Sequence, residues 1–242
     1  MIRSAVRPGH TRMFDHIKLE VLDRDGAIRE TAEAAGIDRA DFLKKGALGG
    51  AAALGGGLLL GGFPSAADAA ISRRKSKRND AKIANYALTL EYLEDEFYRQ
   101  ANANKPFSTD AYRLFAEVTG EHEGEHVRAL RGLLGRAAVK KPTFDFGNAV
   151  TDPATFAATA QALEDAGVAA YAGQGPNIAQ RSVVVAALSI HSVEARHAAW
   201  IRFLNSGGAG DVAKLPAPEG FDAAASERKT LRVVEQTGFI KG

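Results

Sequence analysis

Apolar residues recur at steps of three and four positions along four segments of the chain, which is the period of an α-helix with one buried face. The pattern predicts helices over about residues 80–103, 109–137, 153–173 and 177–205. The stretches NKPFSTD, KKPTFDFGNAVTDP and GQGP, which are rich in turn-forming residues, separate these helices. Ser108 or Thr109 is expected to cap the second helix.

The lengths of the connections indicate how the helices are arranged. The first and third connections are short, as antiparallel neighbours allow, whereas the second spans about fifteen residues. Fifteen extended residues reach about 50 Å, which is enough to return along a helix of about 25 residues. The sequence therefore predicts an all-α fold, a four-helix bundle with one long crossover between the second and third helices, over residues 80–205. A tail over residues 206–242 is expected to pack a short amphipathic helix, near 226–237, on the outside of the bundle.

Residues 1–70 form a polar region followed by a segment typical of an export signal. The stretch Gly46–Phe63 is apolar and uncharged but contains eight glycines, so it is a poor candidate for a core helix. Ala67 and Ala69 have the Ala-x-Ala spacing that signal peptidase favours, and cleavage is expected after residue 69 or 70. We therefore expect an exported, extracytoplasmic protein, in the periplasm or cell envelope.

Two features leave the export route and the fate of the signal open. Residues 39–44, RADFLK, resemble the twin-arginine export signature, but Ala40 occupies the position of the second arginine. The apolar run is also just long enough to remain uncleaved as a membrane anchor, which would bring the protein into contact with a membrane. Residues 71–79, which contain SRRKSKR, are interpreted as a solvated basic linker.

Composition limits the chemistry of any site. Lysine plus arginine (31) nearly balance aspartate plus glutamate (29), giving a formal net charge of +2, so no chain-wide basic field favours nucleic acid as a partner. The chain contains no cysteine, which excludes disulfides, thiolate metal sites and cysteine nucleophiles. Any metal site must therefore be built from nitrogen and oxygen ligands.

Charged residues interrupt the apolar faces of the helices in a pattern that repeats. A buried, unpaired charge costs several kcal/mol, so residues such as Glu194 and His197 within an apolar seam require a compensating partner. The first two helices and the last two contain the same polar residues in the same order, at offsets of 73 and 71 residues. The matching residues are Glu91 and Glu164, Tyr98 and Tyr171, Glu123 and Glu194, and His126 and His197.

The spacing of these residues suits a pair of metal ions. Residues three apart on a helix share a face, so each Glu-x-x-His directs a carboxylate and an imidazole to one spot. Four carboxylates and two imidazoles would then surround the bundle axis, and two divalent cations would neutralise the four negative charges. This ligand set suits iron or manganese better than zinc, which usually takes four tetrahedral ligands.

Other interpretations of the same residues remain open. The polar residues could satisfy one another by hydrogen bonds without a metal, and His122-Glu123-x-x-His126 also matches the zinc-peptidase motif. The repeat disfavours the peptidase, because Val193 occupies the position that corresponds to His122. We therefore interpret His122, like His191, as a structural or surface histidine. Glu94 also faces inward and could be a ligand or a supporting acid, although its counterpart in the repeat is Gly167.

The doubled Glu-x-x-His resembles the ferritin-like superfamily, particularly its exported members that include desiccation-related proteins. The similarity covers about residues 80–240, including the APEGFD stretch of the tail. The resemblance implies that Glu91 and Glu164 are terminal carboxylate ligands, that Glu123 and Glu194 bridge the metals, and that His126 and His197 are nitrogen ligands. Tyr98 and Tyr171 would then support the ligands from outside.

The resemblance also implies an activity. Two iron ions, or manganese in their place, would react with dioxygen or hydrogen peroxide, as in a ferroxidase, an oxidase or a peroxide-consuming enzyme that protects against oxidative or desiccation stress. The alternative is a non-enzymatic stress protein with a vestigial site. A homo-oligomer is compatible with the family, but no feature of the sequence indicates one.

Overall fold

The computed structural model describes residues 70–207 and 215–241. The predicted polar N-terminal region, the apolar export segment and the twin-arginine-like stretch lie outside the described residues. None of the helices within the described ranges is both long and apolar enough to cross a membrane.

Four long helices confirm the predicted all-α fold: α1 Lys77–Asn104, α2 Asp110–Leu134, α3 Pro153–Gln174 and α4 Arg181–Ser206. Helix α1 begins before residue 80 because the Ser76 hydroxyl accepts a hydrogen bond from the Asn79 amide at 3.1 Å. The end of the basic cluster is therefore helical. Thr109 is the N-cap residue of α2, but its hydroxyl makes no capping hydrogen bond.

The helices pack as two antiparallel pairs, with α1 along α2 and α3 along α4. The pairs meet where α2 contacts α4 and α1 contacts α3. At one end of the bundle the Tyr112 hydroxyl donates to Asn205 Oδ1 at 3.0 Å, which places the start of α2 beside the end of α4. The Phe115 and Trp200 rings meet edge to face near this end, with centroids 5.3 Å apart.

The crossover between α2 and α3, residues 135–152, contributes to the core. Phe146, Ala149 and Val150 within it are buried. The Phe97 ring on α1 lies 5.5 Å from the rings of both Phe146 and Phe156, so the crossover completes an aromatic cluster inside the bundle. This burial fixes the course of the crossover along the helices.

A two-stranded antiparallel ribbon, which the sequence did not predict, joins the crossover to the C-terminal end. Strand β1 (Thr143–Phe144) pairs with β2 (Ile240–Lys241), with Thr143 opposite Lys241. Strands of two residues have no alternation of polar and apolar positions long enough to recognise, so only the tertiary structure identifies them.

The tail forms helix α5, Glu227–Thr237, which packs against α3 and buries Thr230 and Val234. The segment before α5 crosses α3 closely, and the Ala225 amide donates to the Ala169 carbonyl at 2.9 Å. A Cβ atom at Gly173 would lie 1.8 Å from the Ala225 carbonyl oxygen, so this crossing requires glycine.

Candidate metal centre

The bundle brings together all six residues that the repeat singled out as candidate ligands. The four glutamates have no exposed surface, whereas the two histidines are 8% and 2% exposed. Each helix contributes to the cluster: Glu91 from α1, Glu123 and His126 from α2, Glu164 from α3, and Glu194 and His197 from α4. Because the Glu-x-x-His spacing places both side chains of each pair on one helical face, α2 and α4 each present a carboxylate and an imidazole to the interior.

Two groups of potential ligands overlap within the cluster. In each group, one ligand atom from every member lies within 4.8 Å of the others. Glu91 and His126 belong to one group, Glu164 and His197 belong to the other, and Glu123 and Glu194 belong to both. A carboxylate has two oxygens and can contact two cations, so the shared pair is placed as bridging ligands would be.

The two tyrosines connect the halves of the repeat. The Tyr171 hydroxyl on α3 donates to Glu91 Oε1 on α1 at 2.5 Å, and the Tyr98 hydroxyl on α1 donates to Glu164 Oε1 on α3. Burial, together with the charge of the accepting glutamate, raises the pKa of each tyrosine well above its ordinary value. Both hydroxyls therefore remain protonated donors, and each holds one carboxylate oxygen, of Glu91 or of Glu164.

His126 lies among three carboxylates. Its Nδ1 is 3.0 Å from Glu194 Oε1, 3.1 Å from Glu123 Oε2 and 3.2 Å from Glu91 Oε2. Burial alone would lower the pKa of His126, but the carboxylate hydrogen bonds outweigh it and raise the pKa to about 12. Without a cation, a proton on His126 thus compensates part of the negative charge. A metal ion at this position must displace that proton.

His197 has two different environments at its two ring nitrogens. Nδ1 lies 3.0 Å from Glu123 Oε1 and 3.3 Å from Glu164 Oε2, but it is not aligned for a hydrogen bond. Nε2 lies 2.9 Å from Nδ1 of His122. The nitrogen directed at the carboxylates is therefore the one without a hydrogen-bond partner among the described residues.

The carboxylates differ in their proton affinity. Burial raises the pKa values of Glu94, Glu123 and Glu194 well above the ordinary range, and repulsion between neighbouring carboxylates adds to the effect. Burial acts in the same direction on Glu91, but the hydrogen bond and charge of His126 outweigh it and lower the pKa of Glu91. The metal-free cluster therefore retains protons on several carboxyl groups at pH values where glutamate is ordinarily ionised.

Glu94 makes the cluster asymmetric. It is buried, with 2% of its surface exposed, and it belongs to neither ligand group among the described residues. A Cβ atom at Gly167, its counterpart in the repeat, would lie 3.3 Å from Glu94 Oε1 and 3.2 Å from Glu194 Oε2. The missing side chain at Gly167 thus leaves room for the carboxyl group of Glu94 beside Glu194.

The two other histidines of the described residues differ from each other. His191 is partly buried and its Nε2 has no hydrogen-bond partner within the described residues. His122 is on the surface, as expected, but it also contacts His197, a contact that the sequence did not predict. The spacing could have suggested this contact, since His122 lies one turn before His126 on α2 and therefore shares its face. The repeat gave no indication of the contact, because Val193 occupies the position that corresponds to His122.

The cluster satisfies a simple test for a cation site. Five of its buried atoms make no well-aligned hydrogen bond within the described part of the chain, although most lie close to an oppositely polarised atom. They are Glu123 Oε1, Glu164 Oε2, Glu194 Oε1 and Oε2, and His197 Nδ1. Buried polar atoms normally have partners, and unsatisfied ones are costly. A cation would satisfy these lone pairs. Carboxylate oxygens and imidazole nitrogens are ligand types that fit iron or manganese.

Comparison with known proteins agrees with this arrangement. The family model described as "Ferritin-like domain" matches residues 79–206, which is more than half of the chain. The match covers the four long helices except for the first two residues of α1. No curated protein matches the chain. The fold, the buried Glu/His cluster and the family match together show that the chain belongs to the ferritin-like domain family.

Proposed function

We propose that the protein binds two iron or manganese ions between its four long helices and uses them in redox chemistry with dioxygen or hydrogen peroxide. The observation that carries this proposal is the overlap of two buried ligand groups that share Glu123 and Glu194. Two cations sharing two carboxylates would balance the four buried negative charges of the ligand set. Such a pair, when bound, supplies one-electron redox steps at each metal, chemistry that side chains alone do not offer.

The protein's own residues would prepare and protect this centre. Tyr98 and Tyr171 each hold one oxygen of a terminal carboxylate, which leaves the other oxygen of Glu164 and Glu91 for a cation. His126 and the raised-pKa carboxyl groups carry protons in the metal-free state and release them when cations bind. Complete burial of the four glutamates shields their carboxyl groups from bulk solvent.

The proposed setting is outside the cytoplasm. Residues 1–70 have the features of an export signal, and the resemblance to desiccation-related proteins motivates a role in protection against oxidative or desiccation stress. A protein exported to the cell envelope would meet dioxygen and peroxide directly. Export can be tested separately by fractionating cells that express the full chain with and without residues 46–63.

Metal analysis of the purified full-length protein tests the function. We expect about two iron or manganese ions per chain and oxidation of bound Fe²⁺ by dioxygen or peroxide, followed by absorbance. The double variant Glu194→Ala, His197→Ala should lose the metal pair, because it removes a shared carboxylate and a nitrogen ligand. Full occupancy in this variant would contradict the proposed site.

The same measurement separates the alternatives. A purely structural stress protein would bind no metal after reconstitution with Fe²⁺ or Mn²⁺. A zinc peptidase would bind one zinc and lose it in His122→Ala. The observation against the peptidase is that His122 belongs to neither ligand group in the described residues and contacts His197 instead.

A further inference from the structure

His122 connects a buried ligand residue to the surface. Its Nδ1 lies 2.9 Å from Nε2 of His197, and the two rings are stacked with centroids 5.2 Å apart and planes 16° apart. His197 is 2% exposed, whereas His122 is exposed on the surface. The hydrogen bond between the two rings therefore runs from the interior to the solvent-facing side of α2.

The chemistry of imidazole fixes the direction of this hydrogen bond when a cation is bound. A neutral imidazole has a proton on one ring nitrogen and a lone pair on the other. Nδ1 of His197 is directed at the carboxylates and is the nitrogen that would bind a cation, so the proton must be on Nε2. Nε2–H then donates to Nδ1 of His122, whose own proton is on Nε2.

We propose that His122 is a positioning residue of the metal centre. By accepting a hydrogen bond at Nδ1, it keeps the proton of His197 on Nε2 and fixes the ring so that Nδ1 faces the bridging and terminal carboxylates. This inference rests on the proposed metal-binding function. It assigns a role to a residue that belongs to neither of the two ligand groups.

The repeat makes the two metal positions unequal in this respect. The residue that corresponds to His122 in the second half is Val193, whose side chain has no hydrogen-bonding atom. His197 therefore has a hydrogen-bond partner on its second ring nitrogen. The repeat provides no equivalent partner for His126. Removing the hydrogen-bond partner of a ligating histidine typically weakens metal binding about ten- to a hundredfold.

Titration of the full-length, metal-free protein with Mn²⁺, followed by electron paramagnetic resonance, tests the proposal. His122→Val copies the residue found in the other half, and we expect it to weaken one of two Mn²⁺ binding steps about ten- to a hundredfold while sparing the other. His122→Asn keeps an acceptor at the δ position and should restore the wild-type affinity. His191→Val makes the same change at a histidine on α4 that belongs to neither ligand group, and it should leave both steps unchanged.

Each other outcome decides against the inference. Wild-type affinity in His122→Val would overturn it and leave the proposed function intact. Equal weakening in His122→Asn or His191→Val would overturn it as well, because the effect would not depend on the hydrogen bond. Failure of the wild-type chain to bind Mn²⁺ or Fe²⁺ would overturn the proposed function, and the inference with it.

A spectroscopic measurement reports on the hydrogen bond itself. In full-length protein with ¹⁵N-labelled histidine and loaded with diamagnetic Zn²⁺, the Nε2–H proton of His197 should be observed and exchange slowly with water. In His122→Val this proton should exchange rapidly, and in His122→Asn slow exchange should return. A proton equally protected in all three proteins would contradict the role of His122.

Discussion

Tyr171 on α3 donates a hydrogen bond of 2.5 Å to Glu91 on α1, although each of these helices has its own glutamate and its own tyrosine. In the same way, the Tyr98 hydroxyl on α1 donates a hydrogen bond to Glu164 on α3. Each half of the repeat therefore supplies the hydrogen-bond donor for a buried glutamate of the other half. Both hydroxyls are buried together with their acceptors, so neither contact can be replaced by bulk water.

We expect Tyr171→Phe to destabilise the metal-free protein by about 1–3 kcal/mol, because it leaves a buried oxygen of Glu91 without its donor. Urea denaturation in the presence of a chelator measures the change in the free energy of unfolding. Tyr112→Phe is the matched control, since its hydroxyl makes an exposed hydrogen bond to Asn205 and should cost much less. Equal destabilisation by both variants would contradict a special role for the buried contact.

The space beside Gly167 should be critical for the centre. In Gly167→Ala, the new Cβ atom would lie 3.2 Å from Glu194 Oε2 and 3.3 Å from Glu94 Oε1, so both carboxyl groups must shift. Because Glu194 belongs to both ligand groups, we expect weaker binding of both Mn²⁺ ions in a titration.

Gly132→Ala provides the control for the change at Gly167. Gly132 is an exposed helical residue whose added Cβ would meet no atom of the described residues within 4 Å. Alanine there should leave Mn²⁺ binding unchanged and stabilise the protein by about 0.5–1 kcal/mol, because glycine is unfavourable inside a helix. Undiminished Mn²⁺ affinity in Gly167→Ala would show that the carboxyl groups adapt to the smaller space.

The metal-free site should lower the stability of the protein as the pH rises. The folded-state pKa values of Glu94, Glu123 and Glu194 are raised, so above pH of about 4.3 the folded state holds protons that the unfolded state has lost. His126 acts with the same sign, since its stabilising contribution is complete below about pH 6.5 and is lost as the pH approaches about 12. Glu91 affects stability in the opposite direction. Because its folded-state pKa is lowered, its stabilising contribution is present at neutral pH and is lost as the pH falls into the acidic range.

Denaturation of wild type and Glu194→Gln between pH 5 and pH 8, with chelator present, measures this effect. The variant cannot ionise at residue 194, so its stability relative to wild type should increase as the pH rises. Added Mn²⁺ should reverse the ranking at pH 8, because the cations need the ionised carboxylate. A stability difference that is independent of pH would contradict the raised pKa of Glu194.

The crossing of the tail over α3 should tolerate no side chain. A Cβ atom at Gly173 would lie 1.8 Å from the carbonyl oxygen of Ala225, so Gly173→Ala must displace the segment before α5. We expect destabilisation of about 1–3 kcal/mol, as for an overpacked core, and faster proteolysis near residue 225. Mn²⁺ binding should persist, since neither residue belongs to a ligand group; its loss would mean that the tail supports the centre.

Local patterns were sufficient for the fold class and for the choice of candidate ligands. The period of three and four residues identified four helices, and the all-α bundle is confirmed. The charged residues within apolar seams, such as Glu194 and His197, stand out because burial of an unpaired charge is costly. The structure buries and clusters the six residues, while their role as metal ligands remains a prediction.

Contacts between side chains of different helices could not be predicted from local patterns. Helical periodicity fixes the direction of a side chain around its own axis, but the partner it meets depends on how far neighbouring helices are shifted and rotated against each other. Residue spacing alone therefore does not show that Tyr98 reaches Glu164 on another helix. The ribbon of β1 and β2 was hidden for a related reason, because its two strands lie almost one hundred positions apart and are too short to show a period.

The sequence by itself thus determined an all-α bundle with a repeated set of carboxylates and imidazoles, because these properties depend on local period and residue type. Only the tertiary structure decided that each tyrosine reaches the glutamate of the other half, that Glu94 fills the space beside Gly167, and that His122 contacts His197. These relationships arise where side chains from different helices come within a few ångströms of each other. That proximity is a property of helix packing, and no single segment of the chain contains it.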